Sequence, residues 1–273
     1  VLFSDNNNIK LFTTFNHQDN SEIIHLASDF TLDDNNEVNG KFYSQGLNFN
    51  PKETVLFSKK LKILSSDLNY SLWADIKSNR ISKLQGSLNI RDISLINIIT
   101  NNKISLKNIG TDIDFRSSND INNILFSNLN FLTEYADYKD NIIRATFNGF
   151  NLEKVAIDRL YMKDIKHTIN FIPTLGNKTI NSMLRNIHDG YFENLVLLDL
   201  NNNEKFRYSI SFKDIGFVNN TKLSMNNITG NLFGSAKSGE LFIGGKDVKG
   251  SINSIDKFKL SRLKGLILYN ISN

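Results

Sequence analysis

Cysteine is absent from the 273 residues, so the chain carries no disulfide, no thiolate nucleophile and no cysteine-held zinc. That absence suits an oxidising compartment, where stray thiols are a hazard, and it equally suits the many cytosolic proteins without cysteine. Proline is nearly absent as well, with two residues. No apolar run approaches the ~20 residues that a membrane-spanning helix requires. The first residue, Val1, is not an initiator methionine, and residues 1–8 lack the layout of a secretory signal. The expectation is a segment of a longer chain. A surplus of one charge sign is also small: net charge is +4, and along the sequence the lysines are scattered rather than massed. Such a balance speaks against a nucleic-acid-binding face.

Motifs of catalysis are missing too. The chain has no G-x-S-x-G elbow, no phosphate-cradling Walker loop and no G-x-G-x-x-G. His17, His25, His167 and His188 lie far apart and never take the paired spacing of a zinc protease helix. Asp33-Asp34 and Asp112-x-Asp114 lack the remaining ligands of a calcium loop and read as turn or strand-edge carboxylates. The residues therefore predict a non-enzymatic protein without cofactor or metal, in which no single acidic, histidine or serine side chain is essential.

What is present is a hydrophobic share of 40%, enough to drive folding, arranged with period two. Ile24, Leu26, Phe30 and Leu32 alternate with polar partners in Glu22–Leu32. Leu68, Tyr70, Leu72, Ala74 and Ile76 share one face of the next long segment, with Trp73 opposite. Leu84, Leu88 and Ile90 align with Gly86, and Phe206, Tyr208, Ile210 and Phe212 alternate with Arg207, Ser209, Ser211 and Lys213. The pattern predicts antiparallel strands with one apolar face. Turn residues separate the segments at Asp33–Asn36, Asn201–Asn203, Asn219-Asn220 and Gly244-Gly245, the last pair reading as turn or bulge glycines.

One stretch has helical spacing: Ile180, Met183, Leu184 and Ile187 predict a helix over Lys178–His188, capped by Asn177 and stopped by Gly190, docked on an end or edge of the sheet. Leu95–Thr100 is a second helical candidate. No linker is visible, and residues 1–273 read as one continuous segment. Two closures remain open: a filled barrel or sandwich, or an open trough whose apolar face holds something apolar.

The order of motifs resembles the central region of the YhdP-type, AsmA-like family of Gram-negative envelope proteins. The matching stretches are Ile187-His188-Asp189-Gly190-Tyr191-Phe192-Glu193-Asn194-Leu195, the strand Phe206–Phe217, the step Met225–Gly234 and the start Ser238-Gly239-Glu240-Leu241. Upstream, Leu72-Trp73-Ala74-Asp75-Ile76-Lys77 followed by Ile81–Leu88 is similar to a second signature of the family. The resemblance implies a mainly β fold: a long antiparallel meander curled into an open apolar groove, or half-barrel, with one or two short helices. It implies a segment of a periplasm-spanning conduit, tethered to the inner membrane by an N-terminal helix outside this stretch. Phospholipid acyl chains would move between the inner and outer membranes along the groove, with no cofactor and no nucleic acid. The candidate lining is Phe30, Leu32, Phe42, Leu88, Ile90, Phe206, Ile210, Phe212, Leu232, Leu241 and Ile243. The competing expectation is a scaffolding β domain with a filled core that binds other envelope proteins.

Overall fold

A computed structural model describes residues 2–5, 7–17, 22–49, 56–58, 61–98, 101–149, 151–171, 186–202, 204–218, 223–235, 237–252 and 256–270. The chain divides into two compact units, Val1–Phe150 and Asn151–Asn273. The first holds β1 (Leu2–Asp5), β2 (Asn8–His17), β3 (Glu22–Leu32), β4 (Val38–Phe49), β5 (Leu56–Ser58), β6 (Leu61–Lys77), β7 (Arg80–Asn97), β8 (Lys103–Ser118), β9 (Ile121–Leu132) and β10 (Asp137–Asn148). The second holds β11 (Asn151–Tyr161), the helix α1 (Met162–Phe171), β12 (Ile187–Leu198), β13 (Arg207–Val218), β14 (Ser224–Ser235), β15 (Ser238–Ile252) and β16 (Asp256–Asn270).

The fold is mainly β, an antiparallel meander in which strand order follows chain order within each unit, with β5 paired to β6 as a side branch. Neither unit closes into a barrel: among the described residues β1 does not pair with β10, nor β11 with β16. Turn chemistry explains the hairpins. Ser78-Asn79 and Asn119-Asp120 both take positive φ, as two-residue hairpin loops need. In the β3–β4 turn, Asp33 Oδ1 accepts from the backbone N–H of Asn35 and of Glu37, each at 2.9 Å. In the β12–β13 turn, Asn202 Oδ1 accepts from Glu204 N at 3.1 Å and Lys205 N at 3.2 Å. The expected turn at Asn219-Asn220 lies outside the described residues, as does Asn203.

Several expectations are corrected. Leu95–Asn97 is not helical. Leu95 pairs with Ile63 of β6 and Ile104 of β8, and a residue held by two neighbouring strands has no backbone donor left for a helical turn. Ile187 and His188 open β12 rather than close a helix, because Ile187 pairs with Phe217 and packs on the core below α1. The expected stop, Gly190, is buried inside β12 at φ +99°, where a Cβ would lie 2.7 Å from the Lys213 carbonyl oxygen. Asn177, Ile180, Met183 and Leu184 lie outside the described residues. Gly244 and Gly245 are within β15, not between strands, beside a register irregularity against β14.

Sequence reasoning does not anticipate the helix α1. Met162 and Ile165 stand one turn apart, and Asp164 in the first turn complements the positive end of the helix dipole. Met162 is fully buried with Ile215 and Ile228, and Ile165, Phe192, Phe212, Phe217, Met225 and Ile243 pack around them. This is the core of the second unit.

Bulges recur inside the strands. Asn48, Asn108, Asn128 and Asp140 in the first unit have φ of 50–52°, and Asn194, Asp214, Asn227 and Asp247 in the second have φ of 51–64°. They coincide with register shifts, as between Lys107 and Gly110 in β8 or Phe212 and Ile215 in β13. Asn and Asp are the side-chain-bearing residues that best tolerate this left-handed conformation, and each bulge bends its strand and raises its twist. Side-chain hydrogen bonds tie bulge residues to the neighbouring strand: Asn128 Nδ2 donates to Asp112 Oδ2 at 2.7 Å, and Asn227 Nδ2 donates to the carbonyl of Asp247, itself a bulge residue, at 3.4 Å.

Candidate functional site

Register fixes which side chains share a face, since directly paired residues point the same way. In the first unit one row runs Leu11, Ser28, Phe42, Ala74, Leu84, Phe115, Ile124, Ala145 across eight strands. The adjacent row on that face runs Thr13, Leu26, Ser44, Leu72, Gly86, Ile113, Phe126, Ile143. Neither row contains a charge. Phe30 lies on this face between Ile9 and Gly40, Leu32 opposite Val38, Leu88 between Tyr70 and Thr111, and Ile90 between Leu68 and Ile109.

The second unit repeats the arrangement. Ile210, Leu232, Leu241 and Ile267 form one row, and Phe192, Phe212, Gly230, Ile243 and Gly265 the next. Phe206 sits just before β13 with its ring 5.9 Å from that of Tyr208. All ten candidates that lie within strands thus fall on the apolar face of their own unit, and Phe206 lies beside it. The structure separates them in one respect. All five are half-buried, but Phe212 and Ile243 pack against the core under α1, whereas Ile210, Leu232 and Leu241 lie beyond it. Leu26, Leu72, Leu84, Ile113, Phe115 and Phe126 belong to the same face of the first unit. The regular alternation around Leu26, Leu72 and Leu84 was the signal for three of them.

The apolar face is only partly covered. In the first unit Ala74, Leu129 and Tyr138 are the buried hydrophobic residues among those described, while Leu26, Phe42, Leu84, Phe115 and Phe126 stay half-buried. A sheet packed in a sandwich would bury such side chains on its inner face. The face is also kept low. Tyr70 lies over Gly46, Phe212 over Gly230, Tyr269 over Gly239 and Phe258 over Gly250, each pair directly opposed in register. A Cβ on Gly46 would meet Tyr70 Cε1 at 2.2 Å, and one on Gly230 would meet Phe212 Cζ at 2.5 Å. Glycine lets each ring lie along the sheet.

The opposite face of the first unit is polar, and one row of its charges alternates from β2 to β7 before Lys83 meets Arg116 of β8. Lys10, Asp29, Lys41, Asp75 and Lys83 are successive register partners over five strands. The Lys10–Asp29 pair closes to 3.2 Å. Each such exposed cross-strand pair contributes roughly 0.2–1 kcal/mol. Nearby, Arg116 grips Asp114 with two hydrogen bonds of 2.9 and 3.0 Å, and Gln85 adds a third at 2.8 Å. The Arg116 contact, assisted by Gln85, holds the Asp114 carboxyl below its ordinary range. Trp73 stands on this face, more than half exposed, with its ring 5.1 Å from Tyr43.

No protein-family model, curated protein or solved structure matches this chain. The polar groups capable of chemistry are spread out. His25 bonds Thr14 on the surface of the first unit at 2.9 Å, and His188 lies against Gly216 in the second. The Tyr161 hydroxyl donates to Asp189 Oδ1, which also accepts from Gly190 N at 3.0 Å. That hydrogen bond pushes the Tyr161 phenol up to about 12 and holds the Asp189 carboxyl down. It is a strand-to-strand clasp at the start of α1. Among the described residues no group of three or more His, Asp or Glu side chains is placed to hold a metal ion.

Proposed function

We propose that the charge-free apolar faces of the two units bind lipid acyl chains, and that the chain is a non-enzymatic segment of a phospholipid conduit of the AsmA-like kind in the bacterial envelope. The observation that carries this reading is the first unit's apolar face. It is uninterrupted by charge across eight strands and its large side chains are half-buried, so it has the character of a lining rather than of a filled core.

The energetics favour such a surface. Drawing an acyl chain of about sixteen carbons out of a bilayer exposes groups worth ~0.8 kcal/mol per CH₂, roughly 12 kcal/mol in all. A continuous apolar strip replaces that burial at each position. A strip of low relief, with rings laid over glycines and without converging polar groups, binds the chain without arresting it. The motif order resembling the AsmA-like family supplies the envelope setting: a periplasmic segment, tethered to the inner membrane elsewhere in the parent chain and passing phospholipid toward the outer membrane.

The test uses neighbouring positions that face opposite ways. Photoreactive benzoylphenylalanine is placed at Phe126, on the apolar face, and separately at Leu125, on the polar one. The purified chain is irradiated and analysed by mass spectrometry for attached and co-purified phospholipid. Lipid crosslinked from position 126 and not from 125 supports the reading. Equal labelling at both positions, or a parent chain that never carries lipid, refutes it.

A further inference from the structure

The lysines that look scattered in sequence are gathered by the fold onto one surface of the second unit. Residues 237–270 hold seven lysine or arginine and three acidic residues, a surplus of four that equals the surplus of the entire chain. On the polar face of β15 and β16, Lys246 is paired directly with Arg262 and Lys249 with Lys259, while Lys257 and Lys264 extend the band along β16. All six are exposed. The acidic residues nearby are Asp247, which meets Lys259 at 2.8 Å, Glu240 and Asp256.

Like charges directly opposite each other destabilise a sheet. In the first unit the signs alternate from Lys10 to Lys83, although Lys83 pairs with Arg116 and Lys77 with Arg80; β15 and β16 place two such like-charge pairs within one band. Beside the basic band, the same face exposes a cluster of large apolar side chains. Phe242 pairs with Leu266, Phe233 lies against Phe242 with ring centroids 5.7 Å apart, and Leu268 follows on β16. Phe233 and Phe242 are each 40% exposed, Leu266 53% and Leu268 68%. These residues point away from the proposed acyl-binding face, so the carrier reading leaves them unexplained.

We infer that this basic and apolar face of β15–β16 docks on the surface of an anionic lipid bilayer. The anionic headgroups neutralise the opposed cations, and Phe242, Leu266 and Leu268 enter the interfacial layer beside them. A nucleic acid would match the cations alone. It would leave the leucines in water, and the band offers a single arginine and no interleaved aromatic platform. The inference goes beyond the carrier reading, since it concerns the opposite face and the bilayer as a surface rather than an acyl chain.

The experiment is flotation of the 273-residue chain with vesicles of phosphatidylcholine alone or of phosphatidylcholine mixed with phosphatidylglycerol. Binding to the mixed vesicles only, weakened by added salt, is expected. The double variant Lys246→Gln, Lys249→Gln should lower the partition on the order of 25-fold, at about fivefold per cation removed. Its thermal unfolding should not fall, because each substitution relieves a like-charge pair. The variant Leu266→Ser, Leu268→Ser should keep the salt dependence and bind more weakly. Equal binding to neutral vesicles, undiminished binding by the lysine variant, or capture of duplex DNA with vesicles left unbound would overturn the inference. Ile210→Asp on the other face separates the two ideas: it should lose co-purified lipid and retain flotation, and loss of flotation would place vesicle binding on the wrong face.

Discussion

The contrast between Ile210 and Phe212 gives the sharpest check on whether the apolar face is a lining or a core. They are two residues apart on β13 and point the same way, but their surroundings differ. Phe212 lies over Gly230 and packs on the buried Met162, Ile215 and Ile228, whereas Ile210 pairs with Leu232 beyond that cluster. Replacing Ile210 by Asp removes a half-buried aliphatic group, worth about 1 kcal/mol as roughly half the value of a fully buried one. In an open face the carboxylate stays hydrated and adds little. At about 4 °C per kcal/mol for a unit of this size, the loss is a few degrees. If the same position lay in a filled core, the uncompensated carboxylate would cost several kcal/mol more and unfolding would fall by well over 10 °C. Phe212→Asp should show that larger loss in either case, because it places the charge against the Met162 cluster. Thermal unfolding followed by circular dichroism, with phospholipid measured by mass spectrometry on the same preparations, reads both quantities. A small shift for Ile210→Asp together with lost lipid fits a lining. Equal collapse of the two variants, with no lipid on the parent chain, would refute the reasoning.

Three further outcomes are expected. Gly46→Val should cost on the order of 1–3 kcal/mol in chemical denaturation, since the Tyr70 ring must lift and its hydroxyl must leave Ser44, 3.1 Å away. Asn128→Val should destabilise the first unit by about 1–2 kcal/mol through its positive φ, with the Asp112 hydrogen bond lost in addition, while Asn128→Gly should recover most of the backbone part. Tyr161→Phe should cost about 1 kcal/mol near neutral pH, at the lower end for a bond to a charged group because the pair is solvent-accessible. The sign of its pH dependence follows from both partners. Asp189 is lowered from 3.8, so its share is present above that value and fades as pH falls below it; Tyr161 is raised from 10.0 to about 12, so its share is present below 10 and is lost as pH rises through about 12. Parent and variant should therefore converge in stability at both extremes, and a gap that stayed constant from acid to alkali would show that the clasp is not the cause.

Much of the fold was legible because period-two alternation is a local property. Glu22–Leu32 coincides with β3 to the residue, and Trp73 was placed opposite Leu72 and Ala74, as the register has it. Long-range facts were less accessible. The core under α1 joins Met162 to Ile215 and Ile228, more than fifty positions away, and no local pattern announces that meeting. Helical spacing also misled at Leu95–Asn97, where Leu95 and Ile96 have strand partners on both sides. The charged face of β15–β16 escaped notice because its lysines are spread along two strands and become a band only when Lys246 meets Arg262 and Lys249 meets Lys259.

One missed signal was present in the sequence throughout. A bulge inserts a residue and so reverses the in-and-out alternation beyond it. A strand that must keep one face apolar therefore has to shift its hydrophobic phase by three positions at that point. β13 does so, with Ile210 and Phe212 followed by Ile215 and Phe217, across Lys213-Asp214. The two halves stay on one side, since Phe212, Ile215 and Phe217 all belong to the core under α1. The same step separates Leu106 from Ile109 across Lys107-Asn108, Phe126 from Leu129 across Ser127-Asn128, and Met225 from Ile228 across Asn226-Asn227. In each case the second spacer residue takes positive φ. The abundant asparagine thus has a structural use: it supplies the left-handed residue that bends a strand without turning its apolar side to water. At Asn227 and Asp247 the bulges of neighbouring strands contact one another, so those two bends fall side by side. The apolar side of each of these strands therefore stays continuous through its bulge.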